Sequence, residues 1–156
     1  MKIKKVCVLG AGTLGTRVAL QAALSGYEVS LYDINLKSLK SAKEVMETIV
    51  TKLAKASGLE SESGLMAIEK ITFTKDPKVA VHEADIINES VLEEVSVKTE
   101  VWKLFGEIAP EKTIFTTNTS YLLPSMFAEV SGRPSRFCAF HFHDVFTAKV
   151  VDIRPH

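Results

Sequence analysis

Strand patterns that alternate with helical patterns predict an α/β fold, with a doubly wound, mainly parallel sheet and helices on both faces. Three observations carry the prediction. An apolar run at Val6, Cys7, Val8 and Leu9 stops at a glycine turn and passes into a helical pattern. Short β-type runs recur after the later helical stretches. No repeat, low-complexity tract or linker divides the 156 residues, so one domain over 1–156 is expected.

The first strand ends at Gly10-Ala11-Gly12-Thr13-Leu14-Gly15. In the helix that follows, about 14–24, Leu14, Val18 and Ala22 share one face with the small Ala19 and Ala23 beside them, while Thr16, Arg17 and Gln21 are expected to point outward. Ser25-Gly26 ends it, and residues 27–32 form a second strand that closes on Asp33. Over 36–56, Leu39, Ala42, Val45, Met46, Ile49, Val50 and Leu53 recur at helical spacings, with lysines mainly off that stripe on a solvated face. A shorter helix is expected over 60–70, a strand over 71–74, and a helical turn opened by Asp76-Pro77 running to about Ala84.

Residues 85–87 read as a short buried strand that ends at a polar tip, Asn88-Glu89-Ser90. Helix 94–108, apolar at Val97, Val101, Leu104 and Phe105, leads to strand 113–116 and a second polar tip, Thr117-Asn118-Thr119-Ser120. In open α/β sheets the carboxyl ends of strands are where ligands bind, although such residues also serve as ordinary loop caps. Leu122-Leu123-Pro124 starts a last short helix, Gly132-Arg133-Pro134 turns the chain into strand 136–143, and strand 149–153 follows.

Strand, glycine turn, helix, strand and acid make the context of a Rossmann-type phosphate-binding turn. Gly10 permits the tight exit from the strand, Gly12 admits a pyrophosphate close to the backbone, and Gly15 lets the helix pack closely. The helix start at Thr13 and Leu14 points free N–H groups and the positive end of the dipole at the phosphates. Asp33 is placed to accept hydrogen bonds from an adenosine ribose diol; it repels a 2′-phosphate, and no Arg stands in Ile34-Asn35-Leu36. Lys37 is the nearby cation, so NAD is expected over NADP.

Nineteen basic and nineteen acidic residues balance, which gives no charge argument for nucleic acid or an anionic membrane, and no apolar run is long enough to span a bilayer. Lys2, Lys4 and Lys5 precede a short strand and glycines and not a signal-peptide core, so a cytoplasmic protein is expected. Cys7 and Cys138 lack metal spacing and read as reduced, buried thiols.

NAD carries hydride, so the protein must position a substrate and move one proton, a task suited to histidine. His82 and His156 are expected at the surface. His141 and His143 share one face of a strand, and Asp152 in the next strand could orient an imidazole if the strands are neighbours. They read equally well as ordinary polar residues of a strand. A metal-ligand reading of His141, His143 and Asp144 lacks a further Cys or His to complete the shell, so no metal is expected.

Along its whole length the chain resembles the NAD-binding domain of the L-3-hydroxyacyl-CoA dehydrogenases, 3-hydroxybutyryl-CoA dehydrogenases included. The resemblance rests on VCVLGAGTLG, Asp33, NESVLEEVSVK, TNTS, and RFCAFHF followed by KVVDI. It implies that His141 takes the proton of a substrate 3-hydroxyl as hydride leaves for nicotinamide, that Asp152 is its carboxylate partner, and that Ser120 hydrogen-bonds the substrate oxygen, with Asn118 beside it. It also implies that Glu93 and Lys98 line the NAD site, and that the partner is a small molecule, an acyl-CoA.

Three departures stand out. The family's HFxNP is here His141-Phe142-His143-Asp144-Val145, and its glutamate is the shorter Asp152; a serine and a lysine that contact coenzyme A in some members fall on Ile49 and Ala56. The family carries a second, helical domain that closes the substrate site and forms a homodimer. The chain stops at His156, before that domain, so an isolated NAD-binding domain, poor in turnover, is expected. A non-catalytic NAD-binding module and a dehydrogenase of a free hydroxy acid remain alternatives.

Overall fold

The computed structural model describes residues 2–57, 61–143, 145–146 and 150–156. Glu60, Asp144 and Lys149, each named in a sequence expectation, lie outside the described residues, as does the side chain of Ala56.

The elements follow the expected order: β1 (Lys5–Leu9), α1 (Thr13–Leu24), β2 (Glu28–Tyr32), α2 (Leu36–Ser57), α3 (Glu62–Glu69), β3 (Thr72–Thr74), α4 (Pro77–Val81), β4 (Ile86–Glu89), α5 (Val95–Ile108), β5 (Ile114–Thr117), α6 (Ser125–Ala128), β6 (Phe137–Phe142) and β7 (Val151–Pro155). The strand order is β3-β2-β1-β4-β5-β6-β7, parallel throughout except where β7 returns antiparallel to β6. The first six strands have the dinucleotide-binding order, and its switch point lies between β1 and β4. The glycine turn leaves β1 at that point.

Strand periodicity feeds two cores. Val6 and Val8 pack with α1 and α2 on one face; Cys7 and Leu9 point the other way, to a cluster that includes Ile87, Trp102, Phe105, Phe115 and Phe137. Each fully buried large side chain stabilises by about 1.5–3 kcal/mol. Cys7 is a free thiol, which burial pushes up to about 12, and Cys138 is also free. His82 and His156 are exposed, as expected.

Three expectations change. Thr16 is buried and not turned outward, because α1 is covered by α2 and α3 as well as by the sheet, and its hydroxyl donates to Ala11 O at 3.3 Å. Leu20 joins the core, while Val45 and Leu53 of the α2 stripe are exposed. Asn88 and Glu89 form the last two residues of β4, buried opposite Val8 and Leu9 of β1 and Thr116 and Thr117 of β5. Neighbours on both sides satisfy their backbones, so the strand continues where side-chain polarity alone suggests an end. Among the described residues no helix is long and apolar enough to cross a membrane.

Candidate functional site

The turn after β1 is shaped by what its glycines lack. Gly10 has φ +99°, and a Cβ there would stand 2.6 Å from Ser90 O; at Gly15 a Cβ would lie 1.9 Å from Gly10 O. At Gly12, the N-cap of α1, a Cβ would meet nothing within 4 Å. Two glycines thus close the turn against β4 and α1, and the third leaves open space at the helix's positive end, which has no side-chain cap. Asp33 braces the turn: Oδ2 accepts from Ala11 N at 2.8 Å and Oδ1 from Asn35 N at 2.8 Å.

Beside the turn runs a cleft of about 670 Å³ lined by Gly10, Gly12, Asp33, Ile34, Leu92 and Val101, among others. That volume suits a nucleotide-sized ligand. The apolar stripe of α5 therefore divides. Trp102 enters the core, Phe105 is buried in that core and also borders the cleft, and Val97, Val101 and Leu104 line the cleft with the exposed Ile34 and Leu92. Sequence periodicity, which puts the whole stripe in the core, misses this apolar wall; exposed Ile34 and Leu92 beside strand ends are the only local signal.

Between the two strand tips lies a buried ion network. Lys98 and Glu89 side chains are both 0% exposed, with Nζ 2.6 Å from Glu89 Oε1 and 3.0 Å from Glu93 Oε2. Glu89 also accepts from Thr117 Oγ1 at 2.7 Å and Val91 N at 2.9 Å. Burial alone would push Glu93 up, but the hydroxyl of Thr119, the ammonium of Lys98 and the amide of Ser120 outweigh it and hold its carboxyl below the usual range. Lys98 is enclosed between carboxylates and does not face the open cleft. The resemblance picks out Lys98 and Glu93; the part of Glu89, nine residues from Lys98, has no local sequence signal.

Asn118 ties the tips together: its Oδ1 accepts from Phe142 N at 2.9 Å and its Nδ2 donates to Ser90 Oγ at 3.0 Å, next to Gly10. Ser120 Oγ stands 3.3 Å from His141 Nε2. The β6–β7 register sets Asp152 opposite His141, with Oδ2 3.8 Å from His141 Nδ1. The tighter contact is 2.7 Å to Nε2 of His143, and this bond, ahead of the His141 one, holds Asp152 below the usual carboxylate range. Asp152 thus does reach an imidazole, in fact two, and the nearer is the diagonal neighbour.

Residues 5–155 match the family described as "3-hydroxyacyl-CoA dehydrogenase, NAD binding domain". The chain belongs to this family. It is 33% identical over 155 residues to a probable 3-hydroxybutyryl-CoA dehydrogenase of Bacillus subtilis, covering 98% of this chain and 53% of the relative. A solved diketoreductase superposes with TM-score 0.93 at 36% identity over 98% of this chain and 55% of that one. The crystal structure of 3-hydroxybutyryl-CoA dehydrogenase from Escherichia coli K12 gives TM-score 0.90 at 27% identity, over 98% of this chain and 32% of that one. The chain spans about half the length of the curated relatives it matches.

NAD is the cofactor of this domain family. The residues present in the 3-hydroxyacyl-CoA dehydrogenase domain fit it: open space at Gly12, uncapped helix amides beyond it, and Asp33 beside the turn in the lining of an apolar cleft.

Proposed function

We propose that the chain is the nucleotide-binding part of an NAD-dependent dehydrogenase that interconverts 3-hydroxyacyl-CoA and 3-oxoacyl-CoA. The observation that carries this reading is the grouping of Ser120, His141 and Asp152 at strand ends, tied by Asn118, through Phe142 N and Ser90 Oγ, to the residue that abuts the glycine turn at Gly10. Bound NAD supplies the hydride acceptor. Gly10, Gly12, Thr13, Leu14 and Gly15 hold the pyrophosphate and Asp33 the ribose. Glu93, Lys98 and Asn118 set the tip on which Ser120 sits.

In this reading His141 is the general base: Nε2 takes the proton of the substrate hydroxyl while Ser120 Oγ fixes that oxygen. Asp152 carries no proton in the step; its negative charge favours the imidazolium. The second, helical domain of the family closes over the acyl chain and forms the dimer, in the cytoplasm.

The test uses protein extended to its relatives' length, with acetoacetyl-CoA and NADH followed by absorbance. Wild type should consume NADH; His141→Ala should lose about 10²–10⁴-fold in kcat, the range for general acid–base catalysis, with NADH affinity unchanged. Unaltered turnover in that variant would sink the role. One observation favours a second reading, a reductase of carbonyl compounds lacking coenzyme A: Ile49 lines the α1–α2 groove where some family members have a CoA-contacting serine, and the diketoreductase relative acts on dicarbonyl compounds. Faster turnover of a free diketone than of acetoacetyl-CoA would favour it.

A further inference from the structure

The general-base reading leaves His143 idle, although this residue makes the shortest bond to Asp152. We propose that His141, His143 and Asp152 form a divalent-metal site that takes Zn²⁺ and, when filled, disables His141 as a proton acceptor. The blocking rests on the general-base reading; the binding does not.

His141 lies in β6 and His143 stands one residue past its end, two positions on, with ring centroids 4.7 Å apart, and Asp152 meets them from β7, opposite His141 in the antiparallel ladder. One ligand atom from each lies within 4.8 Å of the other two, and Asp152 Oδ2 is 2.7 Å from His143 Nε2 and 3.8 Å from His141 Nδ1. Zn–N and Zn–O bonds of about 2.0–2.2 Å at a tetrahedral angle set ligands roughly 3.3–3.6 Å apart. The pair distances to Asp152 straddle that span, so small side-chain rotations suffice. Arg154, the nearest cation on the same strand, is turned away to Thr119 O at 2.7 Å.

Side-chain exposures of 14% for His141, 47% for His143 and 51% for Asp152 leave an entry path and room for water to complete the shell. Two imidazoles with one carboxylate suit a borderline ion such as Zn²⁺; Mg²⁺ and Ca²⁺ select oxygen. The third ligand comes from a neighbouring strand, which is why the local pattern of His141, His143 and Asp144 lacks a shell.

The chemical consequence follows from tautomers. To act as a base, His141 keeps its proton on Nδ1, towards Asp152, and leaves Nε2 free towards Ser120. A metal on Nδ1 leaves the ring proton on Nε2, which can then only donate. The two states exclude each other.

Titration of this chain with Zn²⁺ by calorimetry, and with Co²⁺ by visible absorption, should give one site per chain. His143→Ala and Asp152→Asn should each weaken binding by more than the roughly ten- to hundredfold that loss of an outer-shell partner costs. A His82→Ala, His156→Ala double variant should bind unchanged. Nitrogen NMR of the imidazoles should show His141 move from the Nδ1–H to the Nε2–H form on adding Zn²⁺. Absent one-to-one binding, or binding that survives His143→Ala with circular dichroism unchanged, overturns the site; binding without the tautomer change overturns the blocking. A chain that passes these tests, with an extended protein inactive on every acyl-CoA, would leave the site standing and remove the function reading.

Discussion

At the scale of single residues, the glycine turn separates two jobs that the GxGxxG pattern merges. Gly12 has backbone angles open to any residue and empty space where a Cβ would go, so Gly12→Ala should fold with an unchanged Tm. The same methyl should intrude on the pyrophosphate. NADH affinity, read by fluorescence titration, should fall at least about tenfold, or about 1.4 kcal/mol. Gly15→Ala is expected to act on stability instead, since its Cβ would strike a backbone carbonyl; a loss of about 1–3 kcal/mol in urea unfolding is the usual scale of overpacking. Lys98 gives the strongest single-residue prediction. Lys98→Met leaves Glu89 and Glu93 facing each other without their cation, and removing one partner of a buried ion pair costs about 3–5 kcal/mol.

At the scale of elements, β4 shows how one strand serves two ends. Its carboxyl end carries the buried Asn88 and Glu89 that support the site, and just before its first residue Asp85 anchors the sheet's other rim. The Lys112 ammonium, then the amides of Lys5 and Lys4, lower the Asp85 carboxyl from 3.8 to about 2 against a smaller burial effect. Because the folded value lies below the unfolded one, its contribution is complete above the unfolded pKa and is lost as pH falls through the folded one. The urea midpoint should therefore drop between about pH 4 and pH 2, and Asp85→Asn should flatten that limb. The β6–β7 pair makes the matching point about register: a slip of one residue would turn Asp152 to the opposite face and away from both histidines.

For the whole molecule, the cleft predicts its own selectivity. Asp33 stands where a 2′-phosphate would sit, so NADH should bind at least about tenfold more tightly than NADPH in parallel titrations, and Asp33→Ala should narrow that ratio. Much of this arrangement was legible in the residues. Fold class, element order, the glycine turn and Asp33 are carried by short-range patterns, because period-two and period-3.6 burial and the φ of a glycine are local properties. The order of motifs along the chain likewise carried the family. Tertiary structure alone decided which face of α5 lines the cleft, that Thr16 is buried, that Glu89 pairs with Lys98, and that Asp152 lies closer to His143 than to His141. Each of those depends on which strands become neighbours and in what register, and on how a side chain chooses among several partners brought within reach. Such choices are made by packing across the sheet, where separation along the chain no longer tells which groups meet.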